Sequence, residues 1–159
     1  MNEINKIAMD KAIEESKTNM PNHYKNGGPF GTVIVKDGKI ISTGHNTVIE
    51  TKDATAHAEI NAIREAPKKL DTHDLSGCIL YTSAEPCPMC LSAIIWSNIK
   101  EVYYANTKED AGNIGFRDDV IYEYLKGNDE SLIHLHHIES EEALEVFKNF
   151  EKMENKNMY

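Results

Sequence analysis

Two short motifs carry the residue types that metal-assisted chemistry requires. The first is His57-Ala58-Glu59, and the second is Pro86-Cys87-Pro88-Met89-Cys90. Thiolates and imidazole are common zinc ligands, so His57, Cys87 and Cys90 form a typical zinc set. The two cysteines are three positions apart, which places both on one face of a helix. Together the motifs predict a zinc site built from two separate parts of the chain.

The number of protein ligands indicates whether the predicted zinc would be structural or catalytic. A structural zinc is closed by four protein ligands, whereas a catalytic zinc keeps one position for water. The remaining cysteine, Cys78, lies across an intervening strand from Cys87, roughly 20–30 Å away at about 3.3 Å per residue, and we expect it to be a buried apolar residue. The free position suits a water whose pKa zinc lowers toward ~7, with Glu59 as the proton carrier beside it.

Each motif has a simpler interpretation when it occurs alone. A Cys-x-x-Cys pair is often a redox pair or half of a structural zinc site, and a His-x-Glu pair is usually on the surface. Their joint occurrence, each at the predicted start of a helix with a strand between them, favours a catalytic zinc. His134, His136 and His137 form another candidate metal cluster, but a strand over 132–138 would place His134 and His136 together on a solvated face. Glu85 suits either a contact to the metal ligands or an ordinary polar loop residue.

The elements that must position these motifs alternate between helices and strands. Asp37-Gly38 between two β-rich runs predicts a hairpin. A hairpin followed by strand–helix–strand units predicts an α/β fold, with a three-layer α/β/α arrangement and a single mixed five-stranded sheet that has helices on both faces. The predicted helices span 3–19, 56–66, 87–97, 118–126 and 141–153, and the predicted strands span 30–36, 39–45, 79–82, 102–105 and 132–138.

Length, composition and charge limit the class of protein. The chain has 159 residues, which suits a single domain over 1–159, and three cysteines, which favour a reducing compartment over a disulfide scaffold. Residues 1–6 lack the apolar core of a signal peptide and no apolar run has the length of a membrane span, so we expect a cytoplasmic protein without a membrane partner. The net charge is −9, and residues 109–159 hold five basic and thirteen acidic side chains, which disfavours nucleic acid as a partner.

The two motifs resemble the cytidine deaminase-like superfamily of zinc-dependent nucleobase deaminases, whose signature is His-x-Glu followed by Pro-Cys-x-x-Cys. The resemblance covers nearly the whole chain, and within the superfamily it is strongest to short bacterial guanine deaminases. The segments that carry it are Gly27-Gly28-Pro29-Phe30-Gly31, Thr55-Ala56-His57-Ala58-Glu59, Cys78-Ile79-Leu80-Tyr81-Thr82-Ser83, Glu85-Pro86-Cys87-Pro88-Met89-Cys90, Gly115-Phe116, Ile121-Tyr122 and Tyr159. The resemblance implies hydrolytic deamination of guanine to xanthine and ammonia by a zinc-activated water.

The resemblance also implies roles for residues outside the two motifs. Asn46 would bind the base, Phe30 would form an aromatic wall of the purine pocket, and Asp118 would accept hydrogen bonds from the N–H edge of guanine. Tyr159 would close the site, from the partner subunit of a homodimer where the C-terminal segment is exchanged as in bacterial guanine deaminases. The backbone N–H of Ala58, at a helix start, would stabilise a developing anionic oxygen.

Other functions stay open at this point. A tRNA adenosine deaminase shares the zinc motifs but needs a basic RNA-facing surface, and the net charge of −9 disfavours it. Phe30 also stands where that family is expected to have a smaller apolar residue. A cytosine deaminase is excluded less firmly. Outside enzymes, the alternative is a structural-zinc interaction module, but three ligands and a glutamate suit hydrolysis better.

Overall fold

The strand directions of one mixed sheet determine where the predicted functional residues meet. A computed structural model describes residues 3–159. Its strands are β1 (Gly31–Lys36), β2 (Lys39–His45), β3 (Ile79–Ala84) and β4 (Glu101–Asn106), in the order β2-β1-β3-β4. β1 is antiparallel to both β2 and β3, and β4 is parallel to β3. Consequently β2, β3 and β4 all end at the edge of the sheet where β1 begins.

Helices cover both faces of this sheet, as predicted. The α-helices of the described residues are α1 (Glu3–Ser16), α2 (Val48–Thr51), α3 (Ala58–Leu70), α4 (Pro88–Trp96), α5 (Lys108–Asn113), α6 (Asp119–Leu125) and α7 (Glu141–Lys152). α1 packs on one face of the sheet, and α3 and α4 pack on the other. The short helices α2 and α5 are additions to the sequence prediction. Within residues 3–159, no helix is both long and apolar enough to span a bilayer.

The core lies on both sides of β1. Val33 and Val35 pack with Ala8 and Ala12 of α1, whereas Ile34 belongs to the cluster formed with α3 and α4. Alternate strand residues point to opposite faces, so a strand covered on both sides needs an uninterrupted apolar run. The run at 33–35 meets this requirement, and all three of its side chains are buried.

The hairpin predicted at Asp37-Gly38 joins β1 to β2. The φ angles of the two turn residues are 49° and 73°, as a two-residue type I′ turn requires. The resulting register pairs Gly31 with His45. Phe30 and Asn46 are the next residues outward, and the Asn46 N–H donates to the Phe30 carbonyl at 3.2 Å. The hairpin therefore brings two predicted pocket residues side by side.

The prediction of a fifth strand over 132–138 is wrong, because the sheet of the described residues has four strands. Leu135 and Ile138 are 79% and 86% exposed, and the segment pairs with no strand of residues 3–159. An alternating pattern sets the directions of side chains, but a strand also needs a neighbouring strand to accept its hydrogen bonds. His134 and His136 are exposed as expected, although the strand that was to carry them is absent from the described chain.

Candidate active site

Four segments that carry predicted site residues leave the sheet at the same edge. Phe30 precedes β1, Asn46 follows β2, and Cys87 lies beyond the end of β3. His57 and Cys87 are the N-cap residues of α3 and α4, so both helices direct their N-terminal ends toward this edge. Asp118 follows β4 and α5 and completes the set. In α/β folds, the carboxyl ends of strands are the common position of a ligand site.

A cavity at this edge contains most of the predicted residues. Its lining consists of Phe30, Asn46, His57, Glu59, Ala84, Glu85, Cys87, Phe116 and Asp118. Cys90 lies behind this lining and is fully buried. The cavity combines a potential metal-ligand cluster, two carboxylates beyond Glu59, an amide and two aromatic rings, which is a suitable lining for a small polar aromatic ligand.

The atoms of His57, Cys87 and Cys90 that could bind a metal lie within 4.8 Å of one another. His57 Nδ1 is 3.6 Å from Cys87 Sγ and 3.5 Å from Cys90 Sγ. All three cysteines of the chain are free thiols, so no disulfide competes for these sulfurs. One imidazole and two thiols around a common point fit zinc, and three protein ligands leave a tetrahedral position open.

The electrostatics of this cluster already favour a thiolate. A hydrogen bond with Cys90, assisted by His57, lowers the pKa of Cys87 to about 4 although burial opposes the shift. The same hydrogen bond, together with burial, raises the pKa of Cys90, because Cys90 keeps the shared proton. The hydrogen bond with Cys87 also raises the pKa of His57. Cys87 lies at the N-terminus of α4, where the helix dipole favours negative charge.

Glu59 is buried beside the cluster, in the first turn of α3. Only 6% of the residue is exposed, and its Oε2 lies 3.5 Å from Cys90 Sγ. Burial raises the pKa of Glu59 to about 7. A carboxyl group that titrates near neutral pH is suited to take up a proton and return it.

Asn46 presents a hydrogen-bond donor to the cavity. Its Oδ1 accepts the backbone N–H of Gly28 at 3.3 Å and that of Val48 at 3.1 Å. Both partners are donors, so chemistry fixes which end of the amide is oxygen. Nδ2 is therefore the side-chain group that remains for a ligand.

The Asp118 carboxylate lines the cavity and does not cap the helix that begins beside it. It occupies the N-cap position of α6 but accepts no capping hydrogen bond from the described helix. Burial raises the pKa of Asp118, and the nearby charge of Cys87 adds to the shift. The carboxylate would gain from a ligand that donates hydrogen bonds, because such bonds compensate for the lost solvent.

Phe116 lines the cavity, a role that residue types and spacing in the sequence do not predict. Its ring meets that of Phe30 edge to face, with centroids 4.8 Å apart and an interplanar angle of 83°. A Cβ on Gly28 would lie 2.9 Å from both rings, so glycine allows the two aromatic side chains to approach. The sequence feature that could have identified Phe116 is the Gly115-Phe116 segment of the family resemblance. Residue spacing alone does not predict that this ring faces the cavity.

Two predicted residues do not reach the cavity with their side chains. Ala58 is fully buried as the first residue of α3 and is not part of the cavity lining. Tyr159 lies with its ring centroid 6.1 Å from that of Trp96 and 6.5 Å from that of His73. Both neighbours are near the C-terminal ends of α4 and α3, whereas the cavity is at the N-terminal ends. α3 alone spans about 20 Å at 1.5 Å per residue, so Tyr159 is remote from the cavity of its own chain.

The remaining candidates have structural contacts. Cys78 is buried in an apolar cluster with Ile34 and Leu80, as predicted. Glu85 lines the cavity, and its Oε2 accepts the backbone N–H of Lys108 at 3.0 Å. This hydrogen bond connects the loop before Cys87 to the start of α5, the helix that precedes Asp118 in the chain.

The mixed sheet, the position of the cavity and the His/Cys/Cys group together define a zinc-dependent deaminase. Residues 2–106 match the family model of the cytidine and deoxycytidylate deaminase zinc-binding region, and the chain belongs to this family. Guanine deaminase from Bacillus subtilis is 48% identical over 134 residues, which is 84% of this chain and 86% of that protein.

An X-ray structure of Bacillus subtilis guanine deaminase superposes with a TM-score of 0.90 and 42% identity, covering 100% of this chain and 99% of the other. A tRNA-specific adenosine deaminase from Aquifex aeolicus is 48% identical over 86 residues, which is 54% of this chain and 57% of that protein. The similarity to guanine deaminase thus extends over the segment after residue 106 that carries Asp118.

Proposed function

We propose that this protein deaminates guanine hydrolytically, giving xanthine and ammonia. The observation that carries the proposal is the pairing of Asp118, a hydrogen-bond acceptor, with the Asn46 Nδ2 donor in one cavity beside Glu59 and the metal ligands. Guanine has N–H groups at N1 and at the 2-amino group, and it has acceptors at O6 and N7. One acceptor and one donor on the protein therefore match its edge, and a buried polar group left unpaired would cost roughly 1–3 kcal/mol.

The residues of the chain divide the chemistry between them. Zinc held by His57, Cys87 and Cys90 would supply a water with a pKa near ~7. Glu59 would accept the first water proton and deliver it to ring N3 as the oxygen adds to C2. It would then take the second proton from the new C2 hydroxyl and deliver it to the amine, which leaves as ammonia when the C2–N bond breaks. Its buried position keeps both protonation states accessible near neutral pH.

Binding and orientation come from the rest of the lining. Asn46 and Asp118 hold the polar edge of the base, and Phe30 and Phe116 contact its aromatic system and exclude water. The backbone N–H of Ala58 at the start of α3 adds partial positive charge where negative charge develops.

Deamination of adenosine in tRNA or of cytosine is the alternative. The similarity to the Aquifex aeolicus tRNA-specific adenosine deaminase covers 54% of this chain, whereas the similarity to guanine deaminase covers 84%. The net charge of −9 also offers little to bind RNA phosphates. Both observations favour a free base over tRNA as the substrate, and the assay below separates guanine from cytosine.

The proposal includes a homodimer in which each single-domain subunit, residues 1–159, gives its C-terminal segment to the other. Support comes from an apolar face of α7 that is exposed in the isolated chain: Leu144, Val146, Phe147 and Phe150 are 44–75% exposed. An exposed apolar surface of this kind usually marks an interaction site. Tyr159 lies far from the cavity of its own chain, so a role in closing a site requires the partner subunit.

The proposed location is the cytoplasm. Cys87 and Cys90 must stay reduced to bind zinc, and all three cysteines of the chain are free thiols. A reducing compartment preserves this state.

The proposed substrate is tested by ammonia release from the zinc-loaded protein. The panel contains guanine, guanosine, adenine, cytosine, cytidine and a tRNA anticodon stem-loop, and the Glu59→Gln variant serves as the blank. We expect the highest kcat/KM with guanine. A higher kcat/KM with cytosine or with the stem-loop would overturn the substrate and leave the zinc chemistry intact.

A further inference from the structure

A buried asparagine outside the cavity holds the residue proposed to bind the base. Asn19 lies between α1 and the short 3₁₀ turn at Met20–Asn22, and it is 3% exposed. Its Nδ2 donates to the backbone carbonyl of Asn46 at 2.7 Å, although the two residues are 27 positions apart. The Asn19 carbonyl accepts the Tyr24 N–H at 2.8 Å, so Asn19 is itself fixed by the turn that follows it.

The bond from Asn19 completes the set of contacts that fix Asn46. The Asn46 N–H donates to Phe30, its carbonyl accepts from Asn19, and its Oδ1 accepts two backbone N–H groups. Every polar atom of Asn46 except Nδ2 thus has a partner among the described residues. These contacts determine where Nδ2 points.

The backbone of Gly27 lies so close to Asn46 that no side chain fits at position 27. A Cβ on Gly27 would lie 2.3 Å from the Asn46 carbonyl oxygen and 2.5 Å from its Oδ1. The Gly27 backbone therefore packs closely against the Asn46 carbonyl oxygen and Oδ1, the two oxygens that accept hydrogen bonds. Loss of the Asn19 donor would leave the Asn46 carbonyl buried and unpaired. Any shift of Asn46 at the end of β2 that relieves this would also move its Nδ2.

We propose that Asn19 is a positioning residue for substrate binding, which acts by holding the Asn46 amide in the orientation that donates to the base. The proposal rests on the proposed function, in which Asn46 contacts guanine. Asn19 itself lies outside the lining of the cavity, so its effect must pass through Asn46. This dependence separates a positioning residue from a residue that only stabilises the fold.

The test is a double-mutant cycle on the zinc-loaded protein with guanine as the substrate. The variants are Asn19→Ala, Asn19→Asp, Asn46→Ala and the two combinations, and kcat, KM, zinc content and the unfolding midpoint are measured for each. We expect each Asn19 variant to lower kcat/KM about 5- to 10-fold, mainly through KM, which is the range for one hydrogen bond. In the Asn46→Ala background the same change should lower kcat/KM less than about twofold, because interacting residues are not additive.

Asn22→Ala is the matched control, since Asn22 ends the same turn and its Oδ1 has no hydrogen-bond partner among the described residues. It should leave kcat/KM for guanine unchanged. Two results would overturn the proposal and assign Asn19 a purely structural role. The first is an equal loss of kcat/KM on changing Asn19 in the parent and in the Asn46→Ala background, and the second is a failure of the Asn19 variants to fold and bind zinc. If Asn46→Ala lowers kcat/KM and the Asn19 variants do not, only the inference about Asn19 fails. If Asn46→Ala has no effect, the base contact of the proposed function fails as well.

Discussion

Replacing Asp118 with asparagine tests the recognition of the base most sharply. The change keeps the shape of the side chain, removes the negative charge and turns one of two acceptor atoms into a donor. A hydrogen bond to a charged group contributes about 1.5–3 kcal/mol, which corresponds to roughly 10- to 150-fold in kcat/KM. Asp118 is only half-buried, so we expect the lower part of this range, about 10- to 50-fold. Because burial raises the pKa of Asp118, loss of the charge should not destabilise the fold.

Steady-state ammonia release from guanine measures this loss, with zinc content determined on the same sample. The matched control is Asp119→Asn, because Asp119 is exposed and its contact is an ion pair with Arg117 at 3.6 Å. A surface ion pair contributes at most about 1 kcal/mol, and the control should stay within about twofold of the parent protein. Equal effects of the two variants, or an Asp118→Asn protein with undiminished kcat/KM for guanine, would refute the assignment of Asp118 to the base.

Three further predictions concern the metal, the proton carrier and the tail. Glu59→Gln should keep zinc and lose about 10²- to 10⁴-fold in kcat, and a turnover within a few-fold of the parent would exclude Glu59 as the proton carrier. Cys90→Ala should lose zinc and activity together in a metal analysis paired with the ammonia assay, whereas full activity of metal-free protein would contradict a catalytic zinc. Deleting residues 157–159 should abolish turnover but retain zinc, and refolding this chain together with Glu59→Gln should restore activity. A mixture no more active than the sum of its parents would argue against exchange of the tail.

The residues that could be predicted from the sequence are those whose signals are local. His57 and Cys87 are recognisable by residue type and spacing, and both lie at the helix starts where the motifs place them. The hairpin at Asp37-Gly38 follows from a turn that these two residues favour. The start of α5 also has a local signal, since Thr107 and Asp110 form the capping box that begins this helix.

The features that could not be predicted depend on contacts between distant parts of the chain. The orientation of Phe116 depends on its edge-to-face contact with Phe30, 86 positions earlier, which no periodicity encodes. The segment 132–138 has the pattern of a strand, but it lacks a neighbouring strand among the described residues. The position of Tyr159 beside Trp96 likewise depends on the path of the whole C-terminal segment.

The central claim is that this site hydrolyses guanine, and the fate of solvent oxygen tests it most directly. Zinc-loaded protein is incubated with guanine in ¹⁸O-labelled water, and the product is analysed by mass spectrometry with Glu59→Gln as the blank. We predict xanthine that carries one solvent oxygen at C2, formed together with an equal amount of ammonia. Guanine that remains unchanged while cytosine or a tRNA stem-loop is deaminated, or xanthine without solvent oxygen, would contradict the account.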